Sequence, residues 1–396
     1  MRIAYLHAGS IPSVYANGIH VMRMCDAFTA AGHDVTLYTL PGTHRADDPY
    51  TYYGVRHRFR IRRIPLPDAD PASLRARAAR VRALLVAETP DLAYGRDPYA
   101  VLAAADVAPV VYESHHVWDD RDALATESRL FAHPALRRVV VITHALAGDL
   151  QTAHAGTGLL PLRVAPDCAD VPAAHGASPA PELPGRTGVP RVGYVGHLYE
   201  GRGIDLILEL AAVLPGFDFH LVGGTPGDRA HWEAPCRLPN VHFHGHRPPG
   251  AVHAYVSAFD VVLAPYQQRV YTAGRSAETG RWASPMKVFE YMAHGRAMIA
   301  SDLPVLREVL HDRVNCLLRP PDDTRAWADA VNELVTDGTL RRQLGRQARS
   351  EVLDRYTWRR RADDVLAGVF TGWGEAPPTA GRTPTPKPKP TASEAG

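Results

Sequence analysis

The segment SPMKVFEYMAHGRAMIASDLPVLREVL, Ser284 to Leu310, sets one carboxylate on a helix that begins in a loop able to hold phosphate. Pro285 suits the fixed φ of a first helical turn, and an apolar stripe through Val288 and Met292 runs to a glycine-containing exit. Glu290 falls about one and a half turns in. A charge so placed in a segment built for burial needs the helix dipole, a backbone amide or a ligand hydroxyl as partner. The strand predicted over Ala297 to Ala300 delivers Ser301 and Asp302 to its carboxyl end, where open α/β sheets bind ligands.

A second cluster is GYVGHLYEGRGIDLILEL, with Gly193, Gly196, Gly201 and Gly203 between a predicted strand and helix and Arg202 at the helix entry. Glycines let amides approach an anion, the helix start carries partial positive charge, and Arg202 a full one. Diphosphate binding is one reading; a Gly-rich βα turn with a solvent-facing Arg is the other. The turn LVGGTPGD, with Gly223, Gly224 and Gly227, is compatible with nucleotide contact. VVYESHHVWDD ends a strand with Glu113, His115 and His116, which act in a cleft or are simply satisfied in place. Asp68-Ala69-Asp70 has the spelling of a metal site but lies between prolines ahead of a helix, as a cap or turn does.

These residues need a frame. Arg2 to Leu6 reads as a strand, Gly18 to Ala31 as a helix and Asp34 to Leu40 as a second strand, and short apolar runs at 92–94, 109–112 and 139–142 continue the alternation with helices. Val171 to Pro190 is Pro-, Gly- and Ala-rich without periodicity, a linker. The βα pattern restarts at Arg191. Two doubly wound α/β domains are predicted, 1–172 and 191–356, joined by a linker at 173–190 and followed by a helix at 357–374. A Pro-rich tail at 375–396 has too little apolar surface to order itself. HRFRIRR and the helix Ser73 to Leu85, with Arg75, Arg77 and Arg82 off its apolar face, form either a solvated edge or a surface for anionic lipid or a phosphorylated acceptor.

Composition narrows the classes. At 396 residues the chain fits two domains and an extension. A formal charge of +2 gives no domain-scale basic excess to bind nucleic acid. Cys25, Cys168, Cys236 and Cys316 are scattered, without zinc or disulfide spacing, which points to a reducing cytoplasm. No apolar run reaches about 18 residues, so membrane contact is expected to be peripheral at most.

From IAYLHAG and GIHVMRMCDAFTAAGHDVTLYT, through RVAPDCADV and GYVGHLYEGRG, to SPMKVFEYMAHGRAMIASDLPVLREV and NCLLRPPDD, the chain resembles the retaining GT-B glycosyltransferases of the family 4 group. That resemblance implies two Rossmann-like domains facing across a cleft, an acceptor on the amino-terminal side, a nucleotide-sugar donor on the other, and a last helix crossing back to the first domain. Glu290 matches the second glutamate of the family's Glu-seven-residues-Glu motif, implying a role with the donor ribose. Trp282 stands eight residues earlier where the first glutamate is expected, with Glu278 four further upstream. The Ser284 to Lys287 turn is expected to present amides and an ammonium to donor phosphate or sugar. Arg202 and His197 stand where the family's phosphate-binding pair lies, beside Gly196. His115 matches the histidine that reaches the donor sugar, and Gly18 the glycine of a loop near the diphosphate; in RVAPDCADV, Pro166 and Asp170 match a family turn.

The implied catalytic set is therefore His115, Arg202 and Lys287, and the donor set Gly18, Gly196, His197, Ser284 and Glu290. No metal or cofactor is implied: the cations and amides stabilise the leaving phosphate, and a phosphate oxygen takes the acceptor proton. The expected reaction moves a hexose-type sugar to a small-molecule, secondary-metabolite or envelope-glycan hydroxyl. A nucleotide-sugar epimerase, or a partner that kept the fold and lost activity, are the competing expectations.

Overall fold

The computed structural model describes residues 1–46, 48–68, 70–172, 181–271, 278 and 280–370. The Pro-rich tail, the end of the expected last helix at 371–374 and the linker stretch 173–180 lie outside the described residues.

Two parallel sheets organise the chain. The first holds β1 (Arg2–Ile11), β2 (Asp34–Pro41), β3 (Arg60–Arg63), β4 (Leu92–Gly95), β5 (Val110–Ser114), β6 (Leu136–Val141) and β7 (Leu162–Val164), in the order β3-β2-β1-β4-β5-β6-β7. The second holds β8 (Arg191–Val195), β9 (Asp218–Val222), β10 (Val241–Gly245), β11 (Val261–Ala264), β12 (Ala297–Ser301) and β13 (Leu317–Arg319), in the order β10-β9-β8-β11-β12-β13. Both orders reverse direction beside their first strand, between β1 and β4 and between β8 and β11. That reversal opens a crevice at the carboxyl ends of the strands.

The central strands read as unbroken apolar runs because helices cover both faces: every residue of VVLA in β11 and of AMIAS in β12 is buried. The edge strand β10 is only half-buried throughout. Gly193 in β8 admits no side chain, since a Cβ there would lie 1.9 Å from the Phe259 ring. The Arg-rich region is partly paired within the chain: Arg62 pairs with Glu88, Arg75 with Asp122 and Arg82 with Asp106. Arg77, expected off the apolar face, is instead buried, 2.7 Å from both Asp97 and the carbonyl of His7. Asp70 caps the helix Pro71–Glu88, accepting from the amides of Ala72 and Ser73.

The two halves are tied by charged and polar contacts rather than by chain continuity alone. The helix Trp358–Leu366 buries Trp358, Arg361, Ala362 and Val365, spaced i, i+3, i+4, i+7, and packs against the helix Ala16–Ala30 of the first domain. Arg361 donates to both Glu113 oxygens, at 3.1 and 3.3 Å, and to the carbonyls of Ala165 and Pro166. Arg138 closes the far end, donating to the carbonyls of Asp364, Val365 and Ala367. Glu308 of the second domain accepts from the amides of His144 and Ala145, at 2.7 and 3.0 Å, at the start of the helix His144–Ala153.

Burial opposes ionisation of Glu113, yet Arg361 and the histidines against it hold its carboxyl well below the usual range. Arg361→Met leaves that carboxylate buried without its counter-charge and is expected to lower stability by about 3–5 kcal/mol. The urea or thermal midpoint reads it, and a change below about 1 kcal/mol contradicts the dependence.

Candidate functional site

Where the carboxyl ends of the two sheets face each other, a cavity of about 350 Å³ opens between the domains. Asn17, His20, Arg96, His115 and Asp167 line it from the first domain; Gly196, His197, Arg202, Tyr266, Ser284, Lys287 and Glu290 line it from the second.

The second wall is a cradle of backbone and cations. Gly196 has φ +144°, and a Cβ on it would lie 2.7 Å from the Lys287 ammonium. Gly223, φ +129°, meets the carbonyl of Gly196 so closely that a Cβ would lie 2.0 Å from it. Only glycine serves at either position. Lys287, 9% exposed, sits over the Tyr194 ring at 3.8 Å and has no hydrogen-bond partner among the described residues. Burial first, and then the Arg202 charge, depress its ammonium well below the ordinary lysine range. The Arg202 guanidinium lies 5.2 Å over Tyr266, its Nε also without a described partner. Two cations with unmatched donor atoms, beside glycines that keep side chains out, leave room for an anion to pair with them. His197 stacks on Tyr199, and burial, then Arg202 and Lys287, lower its pKa to about 4, so it lines the cradle as a neutral ring.

Glu290 enters from the helix Met286–Ala293. Burial raises its carboxyl to about 6, opposed by Arg23 and Lys287 and reinforced by Asp170 and Asp167. Ser284 accepts from the Asp167 amide at 2.9 Å, which leaves its hydroxyl proton free to donate.

The first wall is built on Glu113. His115 lies with Nε2 2.5 Å from Glu113 Oε1, Tyr94 donates to Oε2, and Arg361 holds both oxygens. His20 bridges the same carboxylate and a second: its Nε2 is 2.8 Å from Glu113 Oε1, off the hydrogen-bonding direction, and its Nδ1 is 2.7 Å from Asp167. Because the carboxylate accepts, His115 carries its proton on Nε2 and keeps Nδ1 as an acceptor. Burial, then the Arg96 charge, push His115 down to about 3, against the pull of Glu113, so the ring is neutral. Among the described residues His20, Glu113 and His115 are the only group with metal-ligand spacing. Arg361, Tyr94 and His115 already occupy the lone pairs of Glu113, so the donor set fits protons better than an ion.

Several expectations are revised by geometry. Gly18 does not line the cavity; it packs against Tyr53, Ser13 and Ile11, and its neighbours Asn17 and Ile19 do the lining. Asp302 turns away to pair with Arg307. Glu278 is exposed, bridges to Tyr271 and is not among the residues that line the cavity. Trp282 reaches the first domain instead, its indole N–H donating to Asp149 at 2.7 Å beside Arg281 on the same carboxylate. Sequence reasoning missed His20, Arg96, Asp167, Tyr266 and Arg361. Arg361 carries one available signal, its place three residues after Trp358 on the buried stripe, which Arg359 and Arg360 lack.

A family model described as Glycosyltransferase Family 4 matches residues 18–166, and one described as Glycosyl transferases group 1 matches 189–337. TuaH of Bacillus subtilis, named for teichuronic acid biosynthesis, is 32% identical over 124 residues, 31% of this chain and 29% of that protein. The phosphatidyl-myo-inositol mannosyltransferase of Mycobacterium leprae is 28% identical over 198 residues, 48% of this chain and 49% of that one. The chain thus spans about half or less of the length of these two curated relatives. Anabaena HepE, solved in complex with UDP, shares the fold with a TM-score of 0.67 at 16% identity, over 92% of this chain and 98% of that one.

The raised carboxyl of Glu290 has a stability consequence. Its ionised form is the one the fold disfavours, so the cost in stability builds as the pH rises from the ordinary glutamate range through about 6, is level above that, and is absent below the ordinary range. Glu290→Gln is expected to stabilise the unliganded protein by about 2 kcal/mol at pH 8, with the gain gone by about pH 4.5. Thermal midpoints of both proteins across that range check the sign, and a gain that grows towards acid contradicts it.

Proposed function

The chain belongs to the GT-B glycosyltransferases of the family 4 group, and on that premise we propose that it moves a hexose-type sugar, with retention, from a nucleoside-diphosphate sugar to an acceptor hydroxyl. One observation carries the reading: Lys287 and Arg202 face a backbone cradle kept clear by glycines, and they lie over aromatic rings with Lys287 Nζ and Arg202 Nε lacking a described partner. A diphosphate supplies the missing charge. As the sugar leaves, negative charge builds on that diphosphate, and preorganised cations in a desolvated pocket are worth most at that point. The diphosphate's negative charge also opposes the burial and the Arg202 repulsion that depress the Lys287 pKa, and so favours the protonated ammonium.

On the other wall, His115 uses Nδ1 to accept from a sugar hydroxyl while Glu113 fixes the ring, and Glu290 accepts from the donor ribose. In a retaining transfer the acceptor attacks the face the phosphate leaves. A phosphate oxygen takes its proton, so the reaction needs neither a carboxylate base nor a metal or cofactor. The UDP bound by HepE makes uridine the first base to test, and of the expected acceptors the names of the curated relatives, for teichuronic acid biosynthesis and phosphatidyl-myo-inositol, support an envelope glycan over a secondary metabolite. Among the described residues no helix is long and apolar enough to cross a membrane; a cytoplasmic enzyme with at most peripheral membrane contact is part of the proposal.

Uridine, guanosine and thymidine diphosphates and their sugars, each at 100 times its dissociation constant, are expected to stabilise the protein by about 2.7 kcal/mol if bound. Absence of a thermal shift with all of them overturns the reading. Arg202→Ala and Gly196→Ala are each expected to weaken the winning nucleotide by about tenfold or more, about 1.4 kcal/mol, in titration calorimetry. The anomeric configuration of the product, read by NMR, decides retention.

A further inference from the structure

If the second domain holds the donor, the acceptor lies against the first, and this inference rests on that assignment. One cation on the first wall has no counter-charge. Arg96 follows β4, at the switch point beside β1, and lines the cavity. Its Nη1 is buried and has no hydrogen-bond partner among the described residues, and no described carboxylate pairs with it.

The acids nearby are committed elsewhere. Asp97, the next residue, takes Arg77 at 2.7 Å and caps the helix Pro98–Ala105 through the amides of Tyr99 and Ala100. Glu113 is held by Arg361, Tyr94 and His115, and Asp167 faces His20. The imidazoles in electrostatic reach, His7, His115 and His116, offer no negative charge, and burial followed by the Arg96 charge keeps each below the ordinary histidine range. The donor wall has its own cations in Lys287 and Arg202. A desolvated guanidinium N–H is costly to leave unmatched, and in a cavity the matching acceptor comes from a ligand. A guanidinium fork suits a carboxylate or phosphate, which accept two parallel hydrogen bonds.

We propose that Arg96 is the anion-binding point of the acceptor subsite, so that the acceptor carries a carboxylate or phosphate near the hydroxyl that receives the sugar. The shared chemistry is a compact oxyanion. An acceptor of this kind leaves the two walls with one task each: cations at the diphosphate on one side, and one cation orienting the nucleophile on the other.

The test compares glucuronate, glucose 6-phosphate and glucose as probes, by ligand-observed NMR titration, on the nucleotide-free protein and on protein loaded with the nucleotide that gives the largest thermal shift. In the wild type at least one anionic probe is expected to bind about tenfold or more tightly than glucose; which of the two separates a carboxylate from a phosphate site. Arg96→Gln abolishes that preference, Arg96→Lys keeps part of it, and neither changes the nucleotide's own shift. The proposal is overturned if glucose binds as tightly as both anions, if the preference survives Arg96→Gln, or if Arg96→Gln weakens the nucleotide while the preference remains. A thermal midpoint of each variant confirms that it folds, and Arg96→Lys carries the comparison if Arg96→Gln does not. Failure of every nucleotide to shift the wild type would sink the donor assignment instead, and the nucleotide-free titration would still decide the role of Arg96.

Discussion

The buried pair between Arg361 and Glu113 is the constraint on which the first wall rests. A carboxylate 1% exposed and a guanidinium 3% exposed are tolerable only together, and only with their remaining hydrogen-bonding capacity filled. Tyr94, His115 and the carbonyls of Ala165 and Pro166 fill it. The pair therefore does two things with one set of contacts. It docks the last helix onto a domain more than two hundred residues upstream, and it sets the proton position and ring angle of His115.

The second wall follows the opposite logic. Its charges are left without partners, at a cost in stability of the unliganded fold, because a partner would occupy the place of a ligand. Lys287 lies over an aromatic ring instead of a carboxylate, and Glu290 is raised towards neutrality by burial. Gly196 and Gly223 keep side chains out of the same space. Such local conflict with ordinary packing preferences is what a binding site looks like in a fold that is otherwise self-consistent. The Trp282 indole ties the domains through Asp149, alongside the cap that Glu308 places on the helix His144–Ala153.

Much of this was legible in the residues themselves. Alternation of short apolar runs with helical stripes marked both sheets, since parallel strands covered on two faces must be apolar throughout. The Gly-rich turn at 193–203 and the Ser284 to Lys287 turn marked the second wall, because glycine spacing and a cation at a helix start are local features. Glu290 could be singled out for the same reason, as a carboxylate in a segment otherwise made for burial.

What the tertiary structure alone decided is which charges meet. The helical stripe can single out Arg361 from Arg359 and Arg360 as the buried one, but it does not say that its partner is Glu113. Asp167 faces His20 across 147 positions, and Ser284 turns out to serve Asp167 across 117. Gly18 reads like a ligand loop and is a packing glycine, because its Cβ direction meets Tyr53. Local sequence sets backbone conformation and the burial pattern along each element. The pairing of ionisable groups depends on how elements distant in the chain are brought together, and with it on how much water each group loses. Those two quantities determine whether Arg96, Lys287 or Glu290 rests as a satisfied charge or waits for a ligand.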